Sequence, residues 1–119
     1  MSYDLRFSVK GIDERMYVVF EPDLHSPTYN LGTLFRKCMD WDFKQGEYYA
    51  VKDVLPMIER GIDELSFNSE RYERYEPANG YGTLDGALRV LTGLVRCVEK
   101  HMAGYDWNSY DFDNLYLCW

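Results

Sequence analysis

Two short stretches of the chain place aspartates one residue apart around an aromatic ring. They are Asp40-Trp41-Asp42 in DWDF and Asp111-Phe112-Asp113 in YDFDN. On an extended backbone this spacing puts both carboxylates on one side, and oxygen ligands of that kind suit magnesium, manganese or calcium. Convergence of the four would make a metal-dependent enzyme. Aspartate is equally a turn residue, because its side chain bonds its own backbone and tolerates left-handed conformations. Three readings therefore stand side by side: a metal site, a negatively charged binding face, and two acidic turns. The reading preferred is a binding face that needs no metal and no cofactor. In it, Asp40, Trp41, Asp42, Trp107, Asp111 and Asp113 meet a partner at one rim, with the rings partly buried beneath the carboxylates.

Other residues with chemical potential are few. His25 lies in a loop, and His101 falls at the end of a long apolar stripe, where a histidine complements a helix dipole. No G-x-S-x-G or Cys-His signature marks a nucleophile. NGYGTLDG (79–86) runs glycines into a helix start, where backbone N–H groups attract anions, yet it lacks the lysine of a phosphate-binding loop and follows no strand. With Arg71, Tyr72, Arg74, Tyr75, Gly80, Tyr81 and Gly82 together, the segment is the alternative ligand site, suited to a stacked nucleotide.

Composition narrows the partner. The chain has 119 residues, which is one domain's worth (1–119), and a formal net charge of −7. That balance argues against direct binding to nucleic acid or to an acidic membrane, both of which require a basic footprint, and points to a basic protein partner. Eleven tyrosines are more than a core of this size can satisfy, so some belong to an interface. No apolar run reaches the roughly 20 residues of a membrane-spanning helix. MSYDLRFSVK alternates where a secretory signal would be continuously apolar, and a cytoplasmic location is expected. Cys38, Cys97 and Cys118 are odd in number and widely spaced, as free buried thiols would be.

These residues must be positioned by few elements. Residues 3–10 alternate apolar and polar, and MYVVF (16–20) is close enough to pair with them as a hairpin. Leu31, Leu34, Phe35, Cys38 and Met39 form a helical stripe that Asn30 is expected to cap. Leu55, Ile58, Ile62 and Leu65 form a second stripe, with Asp53 as the cap and Pro56 in the first turn. Thr83 is expected to cap a third helix, central and mostly buried. Its main stripe runs from Leu84 to Met102, and a second stripe of small residues, Gly86, Val90, Gly93 and Cys97, is there to let another backbone approach. LYLCW (115–119) is a last strand. The expected fold is α+β, in the order β-β-α-α-α-β, with a small, mainly antiparallel three-stranded sheet covered by helices on one face.

The stretches SPTYNLGTLFRKCMDWDFKQGEYY (26–49) and ERGIDELSFNSERYERYEPANGYGTLDGALRVL (59–91) resemble small acidic proteins encoded by bacteriophages and mobile elements. The resemblance implies a setting rather than an activity: inhibitors of host defence, anti-CRISPR proteins among them, and sponges for nucleotide signals. The expectation is thus a non-catalytic inhibitor of a bacterial defence or nucleic-acid-handling protein. The alternatives are a nucleotide-sequestering protein, for which a homo-oligomer would enclose the ligand between subunits, and the metal-dependent enzyme.

Overall fold

The computed structural model describes residues 3–22, 27–77, 82–104 and 112–119. The first strands form as the alternation requires. β1 (Arg6–Lys10) and β2 (Met16–Phe20) pair antiparallel. Gly11 N–H donates to Arg15 O at 2.8 Å and Glu14 N–H to Gly11 O at 2.9 Å, closing a three-residue turn in which Glu14 is left-handed, with φ of 66°. Ser8 faces Val18 and Phe7 faces Phe20, so Val19 is the extra residue of a bulge.

α1 (Gly32–Met39) follows a short 3₁₀ turn, Tyr29–Leu31. Leu31, Leu34, Phe35, Cys38 and Met39 are all buried, as the spacing requires. The cap differs: Thr28, not Asn30, presents its hydroxyl to the first turn and accepts from Asn30 N–H at 3.3 Å.

A strand that the sequence pattern did not reveal, β3 (Tyr48–Ala50), comes next. It runs straight into α2 (Val51–Phe67). The helix starts before Asp53, which supplies an acidic group to the first turn rather than the cap, and Pro56 lies inside the helix. The cause is packing. Val51, Val54, Ile58, Gly61 and Leu65 recur at helical spacing and are buried, a stripe one face away from Leu55 and Ile62, which are half-buried. α3 (Leu84–Gly104) begins where expected, with Thr83 Oγ1 accepting from Gly86 N–H at 2.9 Å.

α2 packs against both α1 and α3, and so takes the central place expected of α3. The close approach lies there too. A Cβ on Gly61 would stand 2.7 Å from Met39 Cγ and 2.8 Å from Leu91 Cδ1, so any larger residue would push the Met39 and Leu91 side chains of the neighbouring helices out of place. At Gly86 it would meet only the capping Thr83 hydroxyl, at 3.1 Å.

β4 (Leu115–Cys118) pairs antiparallel with β1 on one side and β3 on the other. The fold is therefore α+β as expected, but the antiparallel sheet has four strands, in the order β2-β1-β4-β3. One face is buried: Phe7, Leu115, Leu117 and Trp119 are at most 1% exposed. Full burial of such side chains stabilises by roughly 1.5–3 kcal/mol each. Residues of the other face, Arg6, Val18, Tyr48, Tyr116 and Cys118, remain exposed or half-exposed. Among the described residues, no helix is long and apolar enough to cross a membrane.

Candidate functional site: the acidic aromatic loop

The DWDF loop begins where α1 ends. Asp40 takes the left-handed conformation, φ 50° and ψ 46°, that commonly terminates a helix, and its N–H reaches back to Arg36 and Lys37 carbonyls. Trp41 N–H also donates to Arg36 O, at 3.0 Å. The reversal turns the rings of Trp41 and Phe43 onto the core while Asp40 and Asp42 stay outside.

Beneath the carboxylates is a bed of rings. Phe43 lies 4.7 Å from Trp119, Trp41 lies 4.8 Å from Tyr49 and 5.9 Å from Trp119, and most of these pairs meet edge to face. Such pairs contribute about 0.5–1.5 kcal/mol each beyond the area they bury. Tyr3 and Phe35 close the bed from α1 and the chain before β1. The Trp119 indole N–H is buried with no acceptor among the described residues.

Arg36 fixes the loop from below. Its Nε donates to Phe43 O at 3.1 Å, its guanidinium stacks 4.4 Å from the Phe43 ring, and Asp42 is 3.7 Å away. Because the Asp42 side chain is 100% exposed, this ion pair adds little stability. Asp40 has no ion pair among the described residues. Lys44 N–H donates to Tyr49 Oη at 2.7 Å. Burial raises the Tyr49 pKa, and burial likewise raises that of Tyr3, against the opposing pull of Arg36.

Asp113 does not share a rim with Asp40 and Asp42. Trp41 packs beside Trp119, past the far end of β4, where Gly46 N–H donates to Trp119 O at 2.8 Å. Asp113 lies before the start of β4 and approaches Lys52 at 4.0 Å, while Asn114 Nδ2 donates to Lys10 O at 2.9 Å. The length of β4 thus separates Asp40 and Asp42 from Asp113. Spacing alone could not reveal this, since both loops adjoin element ends. Trp107 and Asp111 lie outside the described residues. Among the described residues no group of three or more His, Cys, Asp or Glu side chains could hold a metal ion.

The tyrosine-rich segment is built differently from a stacking platform. Tyr72 is only 7% exposed and belongs to the core, with its hydroxyl bonded to the Glu64 carboxylate. Bonds from Asn68 and Tyr72 lower the Glu64 pKa. Tyr75 already carries Arg74 4.8 Å above its ring and Lys37 at 5.9 Å. Arg71 is exposed. Gly82 has a packing reason to be glycine: its φ is 121°, and a Cβ would stand 2.8 Å from Leu31. Gly80 and Tyr81 lie outside the described residues.

Three further groups have local roles. Burial pushes the Cys38 thiol up to about 12, and burial also raises Cys97 and Cys118, which makes all three poor nucleophiles at neutral pH. The His101 ring stacks on Phe20 at 3.8 Å, and burial lowers its pKa, favouring the neutral form over a dipole-complementing cation. His25 lies outside the described residues. A shallow cleft of about 200 Å³ beside Arg6, Tyr29, Tyr48 and Trp119 is smaller than the roughly 300–1,000 Å³ of pockets that enclose small ligands.

Sequence reasoning found the exposed carboxylates and Trp41. It missed Arg36, Phe43 and Tyr49, which hold them. The signal available was the density of rings on either side of DWDF. Comparison with protein-family models, curated proteins and solved structures found no match.

Proposed function

We propose that the protein is a non-catalytic binding module that takes a basic protein surface at the Asp40–Lys44 loop. The observation that carries this reading is the fully exposed Asp42 carboxylate beside half-buried Trp41, on a loop whose backbone Arg36 pins at Phe43 O. A loop held this way binds without the cost of ordering it, and an aromatic ring next to charge is the composition of interface anchors. In the phage or mobile-element setting that the sequence resemblance implies, the partner is a host nucleic-acid-handling or defence protein, and the module is its inhibitor.

The test is capture of a partner from bacterial lysate by the wild-type protein, then titration against the double variant Asp40→Lys, Asp42→Lys. Both positions are exposed, so the variant is expected to fold. Its dissociation constant should rise at least about tenfold, with wild-type binding weakening as salt increases. Unchanged affinity in the folded variant, or affinity indifferent to salt, contradicts the reading.

A further inference from the structure

The shallow cleft begins at Gln45, the residue directly after the Asp40–Lys44 loop. Its position follows from the sheet register. Arg6 of β1 stands opposite Cys118 of β4, and Cys118 stands opposite Tyr48 of β3. The three side chains therefore share the open sheet face in one row, with Arg6 and Tyr48 as walls and Cys118 between them. Two strand spacings separate the walls by roughly 10 Å, which leaves room for one inserted side chain. The cleft volume of about 200 Å³ agrees. It equals roughly seven water volumes of about 30 Å³, and an arginine side chain has about that many heavy atoms.

The polar atoms of the lining can be accounted for one by one. Arg6 donates to Oδ2 of Asp4 and stands 3.7 Å from Glu21, so two carboxylates answer one guanidinium and the excess is negative. Among the described residues nothing donates to Oδ1 of Asp4. Gln45 Nε2 donates to Tyr29 Oη, which leaves Gln45 Oε1 to accept. Tyr29 is itself held, its ring centroid 4.6 Å from that of Tyr3, and so the Gln45 amide has a fixed support. Tyr48 is 47% exposed and offers its ring.

These groups select a planar cation. A guanidinium carries N–H donors for two acceptor oxygens and a flat face for a tyrosine ring. An anion would find Arg6 already neutralised and Asp4 opposed to it. We propose that the cleft takes an arginine side chain of the basic partner, stacked on Tyr48 and donating to Asp4 Oδ1 and Gln45 Oε1. The assignment rests on the binding function proposed for the loop and names the side chain that anchors the partner beside it. Arginine is among the residues that carry most of the binding energy at interfaces, and it does so from pockets of this kind.

The probes are acetyl-Gly-Arg-Gly-amide and its lysine and glutamate counterparts, titrated into the isotope-labelled full chain at about 0.15 M salt, where long-range attraction is screened. The arginine peptide should shift the backbone amide resonances of Gly46 and Cys118 and the Gln45 side-chain amide, with a millimolar dissociation constant suited to a single anchor. The lysine peptide lacks the planar fork and should bind at least about threefold more weakly, and the glutamate peptide should not bind. Tyr48→Ala and Asp4→Asn, both at exposed positions, should each weaken arginine binding at least about threefold. If a variant fails to fold, the ranking of the peptides on wild-type protein still decides. The assignment is overturned if the arginine peptide leaves these resonances unmoved, if it binds no tighter than the lysine or glutamate peptide, or if folded variants bind it unchanged. No partner enters this readout, so such a failure leaves the titration of the Asp40→Lys, Asp42→Lys variant standing as the loop's own test.

Discussion

The two edges of this sheet are built to opposite specifications. β3 has three residues, is approached through the charged Lys44 and Glu47, and gives way to α2 at the next residue. Its central ring, Tyr49, is packed by Trp41 and bonded by Lys44. β2 has five residues, no charge, and exposed side chains at Tyr17, Val18 and Val19. Edges left bare are rare because they aggregate. The contrast teaches that protection at one edge and its absence at the other are properties of sequence: the guarded edge lies next to the loop that presents carboxylates, and the bare edge is free for backbone pairing.

The contrast can be broken most forcefully at the guarded side. Trp119→Ala removes the ring on which Tyr3, Phe35, Trp41 and Phe43 converge, and should cost about 3–5 kcal/mol by denaturant unfolding. Val18→Ala at the bare edge should stay within about 0.5 kcal/mol. Equal losses would erase the distinction between the edges.

Asp40→Gly sharpens it next. A left-handed conformation costs an ordinary L-residue about 1–2 kcal/mol that glycine avoids, so the variant should melt higher than wild type by up to that amount. It should also bind the basic partner more weakly, because stability and recognition are separate at this residue. A smaller effect belongs to Ser8, fully buried opposite Val18 with no hydrogen-bond partner for its hydroxyl among the described residues. Ser8→Ala should be neutral or stabilising by about 1 kcal/mol in thermal unfolding, as nothing is lost and a desolvated hydroxyl is relieved.

The smallest effect is a pH window on the hairpin. Tyr17 donates its hydroxyl to the Asp13 carboxylate, which lowers Asp13 from 3.8 and raises Tyr17 from 10.0. A lowered carboxyl contributes stability that is complete above 3.8 and lost as pH falls through its folded value. A raised phenol contributes stability that is complete below 10.0 and lost as pH rises through its own. The melting-temperature difference between wild type and Tyr17→Phe should therefore be present between those limits and vanish at both extremes.

How far the sequence carried the fold follows from the length of each signal. The hairpin, α1 and α3 were legible because their apolar positions repeat several times and Thr83 is a strong cap. β3 was not, since three residues, YYA, are too short to show a period and abut a helix. The start of α2 was misread because Asp53 and Pro56 look like a boundary, while burial of Val51 and Val54 extends the helix through it. At the site, exposed aspartates could be picked out by type. That Asp113 lies across the sheet from Asp40 depends on β4 pairing, which no local pattern encodes.

The difference between the edges is tested most directly by amide hydrogen exchange at three neighbouring residues of β2. Tyr17, bonded inward to β1, should be protected at every concentration. Met16 and Val18, which point outward on an edge that no described element covers, should exchange far faster, at every concentration. Protection of Met16 and Val18 equal to that of Tyr17 would contradict the account.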